Sequence, residues 1–469
     1  MKKLSLLLST VFAVLLLVAC GSPAEQPRSE TADPLIDDAV MLVDTDSITV
    51  YIEDLVAFHT RHTLSTQTSP DQGIGAAVAY VVQRCEEFAR RAEGVRPVPV
   101  VEVLYYPAGQ KGGRYDRTLT VPEILVTIPG TKAEREILLS AHIDTRVANV
   151  MDSTAFAPGA NDDGSGVACL LEVVRILSEI PLEQTVKCAF VSGEEQGLDG
   201  STFLATKAKA ENWPLMAMLN NDMIGNSEAS GTGLVEDHKV RLFSDSRTGV
   251  DSDPRQLARY IKETARLFVP SQEVKLIYRN DRYRRSGDHT PFLREGFTAV
   301  RISEYCENYD RTHQDVRTEN GIAYGDLITG VDIPYLARNI QINLASVMNL
   351  AQAPARPQKA RIANAGELEN HTVIAWDPVR RADGSIDTQV SYQILCRETD
   401  QPEWNILDSV AADPSLLSPS FRCPLSKDNY FFAIRSVSPA GPTIRFVQAN
   451  EATAQQRRMA KRVSRFMVL

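Results

Sequence analysis

Histidine and acidic residues, whose side chains bind metals or transfer protons, stand at the ends of several apolar segments of this chain. His142 and Asp144 lie in REILLSAHIDT, and Asp162 lies in GANDDGSG, directly before an amphipathic stretch. The apolar run VKCAFVS continues into GEEQG, which contains Glu194 and Glu195. Two adjacent carboxylates repel each other unless a cation or solvent separates them. GEEQG is therefore a candidate cation-binding motif.

Two further polar residues also follow apolar segments. Asp222 closes the run LMAMLNND, and FTAVRISE leads through CENYDRTHQD to His313. Imidazole and carboxylate groups are the usual ligands of zinc. Each motif alone is weak, because Asp162 and Asp163 could equally cap the helix that follows them. Two histidines and three acidic residues at separate strand ends together favour a metal site.

The elements that must position these residues alternate between strand-like and helix-like patterns. They begin with VPEILVTIPG and end with the amphipathic stretch YLARNIQINLASVMNL. This alternation predicts an α/β fold with a mixed, mostly parallel sheet flanked by helices. Open α/β sheets place their sites at the carboxyl ends of their strands, where the polar motifs stand.

The pattern changes towards the C-terminus. Residues 352–360, AQAPARPQK, are predicted to be a linker. Short strand-like runs separated by turn residues then predict an all-β sandwich over residues 361–450. The positions of Trp376, Tyr392 and Tyr430 on these runs resemble those of a fibronectin type III domain.

The N-terminus has the features of an export signal. Residues 1–19 combine two lysines with an apolar run, which predicts a signal peptide. LVAC resembles a bacterial lipobox, and this resemblance implies a lipid anchor on Cys20, followed by a tether over residues 20–40. An ordinary signal peptide with a chance cysteine is the alternative. Gly21 is not the aspartate of inner-membrane retention, so the resemblance implies the periplasmic face of the outer membrane if the source is Gram-negative.

Length and charge exclude several classes of protein. At 469 residues the chain is long enough for two or three domains, and 43% hydrophobic with 23% charged residues is ordinary globular usage. Its net charge of −10 provides no basic field for a nucleic-acid backbone, so we expect no nucleic-acid partner. The basic tail, residues 451–469, is interpreted as solvated rather than membrane-binding.

Cysteine usage allows one candidate disulfide. Cys169 and Cys188 lie in strongly apolar stretches and are predicted to be buried thiols. Cys396 and Cys423 lie in the same predicted sandwich, so they are the pair to test, because exported proteins form disulfides.

The motifs HID, GANDDGSG, GEEQG, NNDMIG and THQD, in this order, resemble the co-catalytic zinc exopeptidases of peptidase family M28. That family includes bacterial leucyl-type aminopeptidases and, as a diverged branch, glutaminyl cyclases. The resemblance implies two Zn²⁺ per chain in a domain spanning residues 41–351. It implies the following ligands: Asp162 bridging both ions, His142 and Asp222 completing one site, and Glu195 and His313 completing the other.

The same resemblance implies roles around the metals. Asp144 would orient the ring of His142, and Glu194 would act as general base towards a metal-bridged hydroxide. YRRSGDHTPF is similar to the family's Tyr-x-x-Ser-Asp-His stretch, with Gly287 as an extra residue. Tyr283 is therefore the candidate oxyanion donor, and the histidine of this stretch is a substrate-side or structural residue.

These expectations converge on an enzyme. We predict a zinc-dependent exopeptidase, an aminopeptidase that hydrolyses the N-terminal residues of peptides and is held at the membrane through Cys20. A glutaminyl cyclase with a single zinc is the alternative enzyme. A non-catalytic surface binding protein would require the loss of a ligand or of the base, and none is lost.

Overall fold

A computed structural model describes residues 33–110, 113–132, 134–245 and 249–438, and the backbone of residues 445–446 and 450–451. The predicted signal peptide, Cys20 and nearly all of the basic tail lie outside the described residues. The helices are α1 Pro34–Val40, α2 Thr45–Ala57, α3 Gly73–Arg90, α4 Gly164–Leu177, α5 Glu194–Gly197, α6 Asp199–Ala210, α7 Asp253–Phe268, α8 His289–Arg294 and α9 Ile333–Gln352, with a 3-10 turn at Ile328–Gly330. Among the helices described, none is both long and apolar enough to span a bilayer.

Eight strands form the main sheet and two more a small hairpin. Their bounds are β1 Val100–Ala108, β2 Leu119–Ile128, β3 Glu136–His142, β4 Thr185–Val191, β5 Leu215–Asn221, β6 Lys239–Ser244, β7 Glu273–Ile277 and β8 Ala299–Glu304, with β9 Arg317–Glu319 and β10 Ile322–Tyr324 in the hairpin. The sheet order is β1-β2-β4-β3-β5-β8-β6-β7. The four central strands β4, β3, β5 and β8 run parallel, whereas β1, β2 and β6 join antiparallel. The predicted α/β class is confirmed, and β1 is an additional strand that the sequence analysis did not identify.

Helices cover both faces of this sheet. The larger core joins α1, α2, α3, α4, α7 and α9 to one face, and the smaller core joins α6 and α8 to the other. Every residue of β4 is buried, as expected of a central strand covered on both faces. Nearly all of α4 is also buried, so this helix is fixed firmly beneath the edge where the polar motifs lie.

The predicted tether, residues 20–40, includes residues that belong to the folded domain. Residues 34–40 form helix α1, in which Ile36, Ala39 and Val40 are buried in the larger core. The side chain of Asp33 caps the helix and Pro34 occupies its first turn, where a proline has no hydrogen bond to lose. The folded domain therefore includes α1 and does not begin at residue 41.

The C-terminal region consists of two antiparallel sheets, as predicted in outline. Its strands are β11 Gln358–Ile362, β12 Thr372–Asp377, β13 Ser391–Glu398, β14 Asn405–Ala411, β15 Ser420–Cys423, β16 Tyr430–Ser438, β17 Arg445–Phe446 and β18 Asn450–Glu451. Trp376 and Tyr392 pack together in the shared core with ring centroids 5.4 Å apart. Because α9 ends at Gln352 and β11 begins at Gln358, the linker is shorter than predicted. The closer resemblance to fibronectin type III stays a prediction.

Buried polar contacts hold this sandwich against the α/β domain. Arg397 on β13 places Nη2 2.6 Å from both carboxylate oxygens of Asp251, and Arg259 on α7 lies 2.7 Å from the same carboxylate. Trp404 donates from Nε1 to Oε1 of Gln256 at 2.9 Å. The sandwich is therefore docked against the start of α7.

The six cysteines after residue 20 are buried free thiols. Cys169 and Cys188 are buried as predicted. The candidate disulfide between Cys396 and Cys423 is not formed: the two residues lie on facing sheets, on β13 and β15, and both are free thiols in the shared core.

Candidate active site

The polar motifs meet at one edge of the sheet, where the parallel strands end. β3 ends at His142, and β5 is followed directly by Asp222. β4 is followed by a short turn that leads to Glu194 and Glu195 at the start of α5. Because the carboxyl ends of parallel strands share an edge, residues far apart in sequence become neighbours. His313 reaches the same edge from the loop that follows β8.

Asp162 lies in the loop that precedes α4, and two other carboxylates fix its position. Asp326 accepts the backbone N–H of Asp162 at 2.7 Å and that of Asn161 at 2.9 Å. Asp163 is fully buried and accepts backbone N–H groups from both strand ends, from His142 at 3.1 Å and from Met223 at 3.1 Å. Asp163 is thus a structural residue, whereas the carboxylate of Asp162 faces the cavity.

The first group of potential ligands consists of His142, Asp162 and Asp222, whose ligand atoms all lie within 4.8 Å of one another. Nε2 of His142 is 3.1 Å from Oδ1 of Asp162 and 3.9 Å from Oδ1 of Asp222. Nδ1 of the same ring lies 3.0 Å from the backbone carbonyl of Asp144. Nδ1 is thus held by that carbonyl, and Nε2 is the ring nitrogen that faces the two carboxylates.

The second group consists of Asp162, Glu195 and His313. Nε2 of His313 is 2.9 Å from Oδ2 of Asp162 and 2.7 Å from Oε1 of Glu195. The two oxygens of Asp162 therefore face different histidines. A further overlapping group places Glu194 within reach of His142 and Glu195.

The donors fit zinc in kind, because both groups combine one imidazole nitrogen with carboxylate oxygens. Burial opposes ionisation of Asp162, but His313 and His142 outweigh it and hold the pKa of this carboxyl well below its usual range. Burial likewise opposes the charge on Glu195, yet His313 lowers the pKa of Glu195 to about 2. The cavity therefore presents ionised carboxylates to a cation.

Asp144 contacts the ring of His142, but more closely through its backbone carbonyl than through its carboxylate. Its carboxylate approaches Nδ1 of His142 only to 3.6 Å, further than its own backbone carbonyl. The carboxylate instead accepts the backbone N–H groups of Glu194 at 3.3 Å and Glu195 at 3.2 Å, and the hydroxyl of Thr63 at 3.0 Å. Asp144 thus orients the start of α5, on which both glutamates depend.

Glu194 is half-buried at the cavity, beside the two ligand groups. Burial raises the pKa of Glu194 well above its ordinary range; His142 opposes this shift, whereas Glu195 and Asp222 add to it. A carboxylate with a raised pKa binds a proton more readily and is suited to general base chemistry.

The cavity has a volume of about 520 Å³ and is rich in arginine. Its arginines are Arg114, Arg146, Arg282, Arg284 and Arg285. Arg146 contacts the second ligand group directly, with Nε 2.8 Å from Oε2 of Glu195 and Nη2 2.5 Å from Nδ1 of His313.

A fully buried arginine lies behind Asp222. Nη2 of Arg301 is 2.9 Å from Oδ1 of Asp222, and Nη1 is 2.9 Å from Oδ2 of Asp281. Burial disfavours the charged guanidinium, but the two carboxylates outweigh this and raise the pKa of Arg301. Arg301 therefore couples Asp222 to the loop that begins at Asp281.

That loop does not bring Tyr283 to the cavity. Tyr283 is 78% exposed and is not among the described residues that line the cavity, whereas its neighbours Arg282, Arg284 and Arg285 are. The predicted oxyanion role of Tyr283 is therefore corrected: the loop directs arginines inwards and the tyrosine into solvent. His289 is structural, because it is buried and its Nε2 lies 2.9 Å from the carbonyl of Asn280.

Several backbone conformations around the cavity are unusual. Leu198, Met223, Arg284 and His313 have φ angles of 66°, 58°, 57° and 57°, in the left-handed region. Non-glycine residues adopt this region at a cost of about 1–3 kcal/mol each, and they cluster at functional sites.

Sequence reasoning missed the residues that support the ligands. Arg146, Arg301 and Asp326 contact ligands that lie far from them in sequence. No local motif marks these three residues. The sequence did carry a signal for other residues of the cavity: the arginine-rich run RNDRYRRSGD supplies three of the cavity arginines.

Comparison with known proteins agrees with this geometry. Residues 123–327 match Peptidase family M28. A protein of Leptosphaeria maculans, named "Probable zinc metalloprotease", is 38% identical over 413 residues, which cover 84% of this chain and 92% of that protein. A protein of the same name from Pyrenophora teres f. teres is 35% identical over 436 residues, 89% of this chain and 86% of that protein.

Solved structures share the fold of the α/β domain. LapB from Legionella pneumophila has a TM-score of 0.51 at 19% identity, covering 68% of this chain and 76% of that chain. The LapA aminopeptidase of Legionella pneumophila has a TM-score of 0.52 at 17% identity, covering 68% and 75%. The fold and the ligand groups together define a metal-dependent peptidase. The chain belongs to Peptidase family M28 and is a zinc metallopeptidase.

Proposed function

We propose that this protein is an aminopeptidase that holds two Zn²⁺ per chain and removes N-terminal residues from peptides. The observation that carries the proposal is the position of Asp162, whose Oδ1 lies 3.1 Å from His142 and whose Oδ2 lies 2.9 Å from His313. One oxygen contributes to the group with Asp222 and the other to the group with Glu195. Five ligands make two three-ligand sites only if Asp162 is shared.

At such a site, two Zn²⁺ lower the pKa of water and polarise the scissile carbonyl. The chain supplies the proton transfers. Glu194 faces the same cavity and is required in neither three-ligand group. It accepts the proton of the attacking water and returns it to the leaving amine, while Asp144 holds its backbone in place.

The size of the site allows attack at a chain end. A cavity of about 520 Å³ is within the range of pockets that bind small ligands, so it has room for a terminal residue. The choice of the N-terminus rests on the resemblance of the five motifs to leucyl-type aminopeptidases, and the fold shared with LapA agrees with it.

A panel of substrates tests this proposal. The purified zinc-loaded protein is offered aminoacyl chromogenic substrates, the same peptides with a blocked N-terminus, and peptides that begin with glutamine. We expect release of free N-terminal residues and no cleavage of the blocked peptides. Cleavage of blocked peptides only would indicate a carboxypeptidase, and cyclisation of N-terminal glutamine without hydrolysis would indicate a glutaminyl cyclase.

The location of the enzyme is a second proposal. We propose that Cys20 carries a lipid anchor that holds the protein at the cell envelope, at the periplasmic face of the outer membrane if the source is Gram-negative. The support is the sequence LVAC and the polar stretch after it, GSPAEQPRSETADP. In this arrangement the folded domain follows the anchor closely, because α1 begins at Pro34.

A further inference from the structure

Some of the arginines that line the cavity are engaged by other groups of the protein, and others are not. Arg146 is engaged by Glu195, and Arg282 lies 3.4 Å from Oε2 of Glu307. Arg284 and Arg285 are exposed and line the same cavity, and neither forms an ion pair with a carboxylate in the described part of the chain. Arg114 donates from Nη1 to the backbone carbonyl of Glu195 at 2.6 Å, so Arg284 and Arg285 are the two cavity arginines that remain available beside the ligand groups.

The loop that carries these two arginines is tied to the first ligand group. Asp281, at the start of their loop, shares the guanidinium of Arg301 with Asp222, which belongs to the first ligand group. Asp281 also accepts the backbone N–H of Arg282 at 2.5 Å. A chain of buried contacts thus ties the loop to a residue of the first ligand group, so the backbone that carries the two arginines is fixed relative to that group.

The loop conformation is also one that the chain adopts at a cost. Arg284 has a φ of 57°, a conformation that residues other than glycine adopt at an energetic cost. At this turn, both Arg284 and Arg285 line the cavity. The guanidinium of Arg285 lies 5.9 Å from the ring centroid of Tyr309, a contact that orients the side chain without neutralising it.

The charge balance of the cavity favours an anion. Five arginines line it against four carboxylates, and one of the arginines, Arg282, is paired with Glu307 outside the lining. Every cation held by the four carboxylates adds to the positive charge of the cavity. Arginine presents a planar fork of N–H donors that matches a carboxylate in a bidentate geometry. A substrate that offered only its N-terminal ammonium group would meet like charge here.

We propose that Arg284 and Arg285 bind a carboxylate of the substrate and make the enzyme selective for anionic peptides. The carboxylate comes either from an acidic N-terminal side chain or from the C-terminus of a short peptide. This inference rests on the proposed peptidase function and names its substrate class.

Matched substrate pairs test the inference on the zinc-loaded protein. One pair is an amidated tripeptide that begins with Glu or with Gln, which differ in charge but hardly in size. The other pair is a leucyl dipeptide with a free or an amidated C-terminus. The release of the N-terminal residue gives a ratio of kcat/KM values for each pair, with 0.1 M and 1 M salt compared because salt screens exposed charges.

We expect the anionic member of one pair to be preferred by about tenfold, as a charge-assisted bidentate contact allows. The pair that shows the preference identifies the source of the carboxylate. The double variant Arg284→Gln/Arg285→Gln brings the ratio close to one, and 1 M salt reduces it. Arg279→Gln removes the same charge from an exposed residue that does not line the cavity, and it leaves the ratio unchanged.

A ratio near one in both pairs, or a ratio that the double variant does not alter, overturns the inference. Calorimetric binding of the same peptides to the zinc-loaded variant Glu194→Gln separates this failure from that of the proposed function. If no peptide is hydrolysed but the anionic member binds about tenfold more tightly, the aminopeptidase proposal fails and the inference stands. If neither binding nor hydrolysis discriminates, the inference fails.

Discussion

A carboxylate outside the ligand groups holds the backbone of the shared ligand: Oδ2 of Asp326 lies 2.7 Å from the backbone nitrogen of Asp162. Both residues are buried, and burial raises the pKa of Asp326 to about 7. The orientation of Asp162 towards both histidines therefore depends on a residue 164 positions further along the chain.

Asp326→Asn should weaken zinc binding. The amide offers one oxygen where the carboxylate offers two, and its NH₂ group would face the N–H donors of Asn161 and Asp162. A supporting residue of this kind typically changes metal affinity by about 10- to 100-fold. Competition with a zinc chelator measures the affinity, with the exposed Asp315→Asn as the control. Equal affinity in the wild type and Asp326→Asn would contradict the supporting role.

Substitutions of Asp162 and of His313 should remove different numbers of zinc ions from the protein. We expect two zinc ions per chain at saturation, loss of both sites in Asp162→Asn, and loss of about one ion in His313→Ala. Elemental analysis after dialysis gives the counts. The measurement is made in a His371→Ala background, because His371 forms an exposed group with Glu367 and Glu369 that could bind an extra ion. A single zinc in the His371→Ala protein would favour the cyclase alternative.

Glu194 and Glu195 should separate catalysis from metal binding. Glu194→Gln preserves size but cannot accept a proton, so we expect near-normal zinc content and a fall in kcat on the order of 10²–10⁴. Glu195→Gln should instead lose zinc first, because Oε1 of Glu195 lies 2.7 Å from His313 within the second group, and excess zinc should restore part of the activity.

The opposite pattern in these two variants would show that the roles across GEEQG are shifted by one residue. Full activity in Glu194→Gln would refute its role as general base. Circular dichroism of both variants controls for loss of folding.

His289 should make stability depend on pH. Burial lowers the pKa of this imidazole to about 4 from an ordinary value of 6.5. The unfolded chain therefore takes up a proton before the folded chain does, so stability is lost as the pH falls from about 6.5 towards 4, by at most about 1.4 kcal/mol per pH unit. His289→Gln keeps a donor for the carbonyl of Asn280 and removes this titration.

Denaturant unfolding of the metal-free proteins at pH 7.5 and pH 5.0 measures the effect. The free energy by which wild type exceeds His289→Gln should shrink by about 2 kcal/mol at the lower pH. His238→Gln, at an exposed histidine, should show no comparable change. The same difference at both pH values would argue against a buried neutral imidazole at position 289.

Cys20→Ala should release the protein from membranes or block its processing, because the acyl chains have no other attachment point in the proposed anchor. Fractionation of cells that express the wild type and the variant measures the distribution, and labelled fatty acid reports acylation directly. Absence of label on the wild-type chain would rule out the lipid anchor.

The residues of the two candidate ligand groups could be predicted from sequence because their positions are marked locally and their motifs resemble those of the family. His142, Glu195 and Asp222 each stand at or just after the carboxyl end of a buried strand, and parallel strands bring such ends together without further information. The α/β class follows from the same alternation of segments. Helix α1 was missed because Asp33 and Pro34 stand in a polar, proline-containing stretch that is typical of a tether.

Tertiary structure alone decided what surrounds the ligands. Asp326 contacts Asp162 and Arg301 joins Asp222 to Asp281 across distances in sequence that leave no periodic trace. The predicted role of Tyr283 was wrong for a related reason. Whether a loop residue faces a cavity or solvent depends on individual backbone angles, such as the φ of 57° at Arg284. Residue type therefore determines which chemistry a site can perform, whereas long-range packing determines which charges face its substrate.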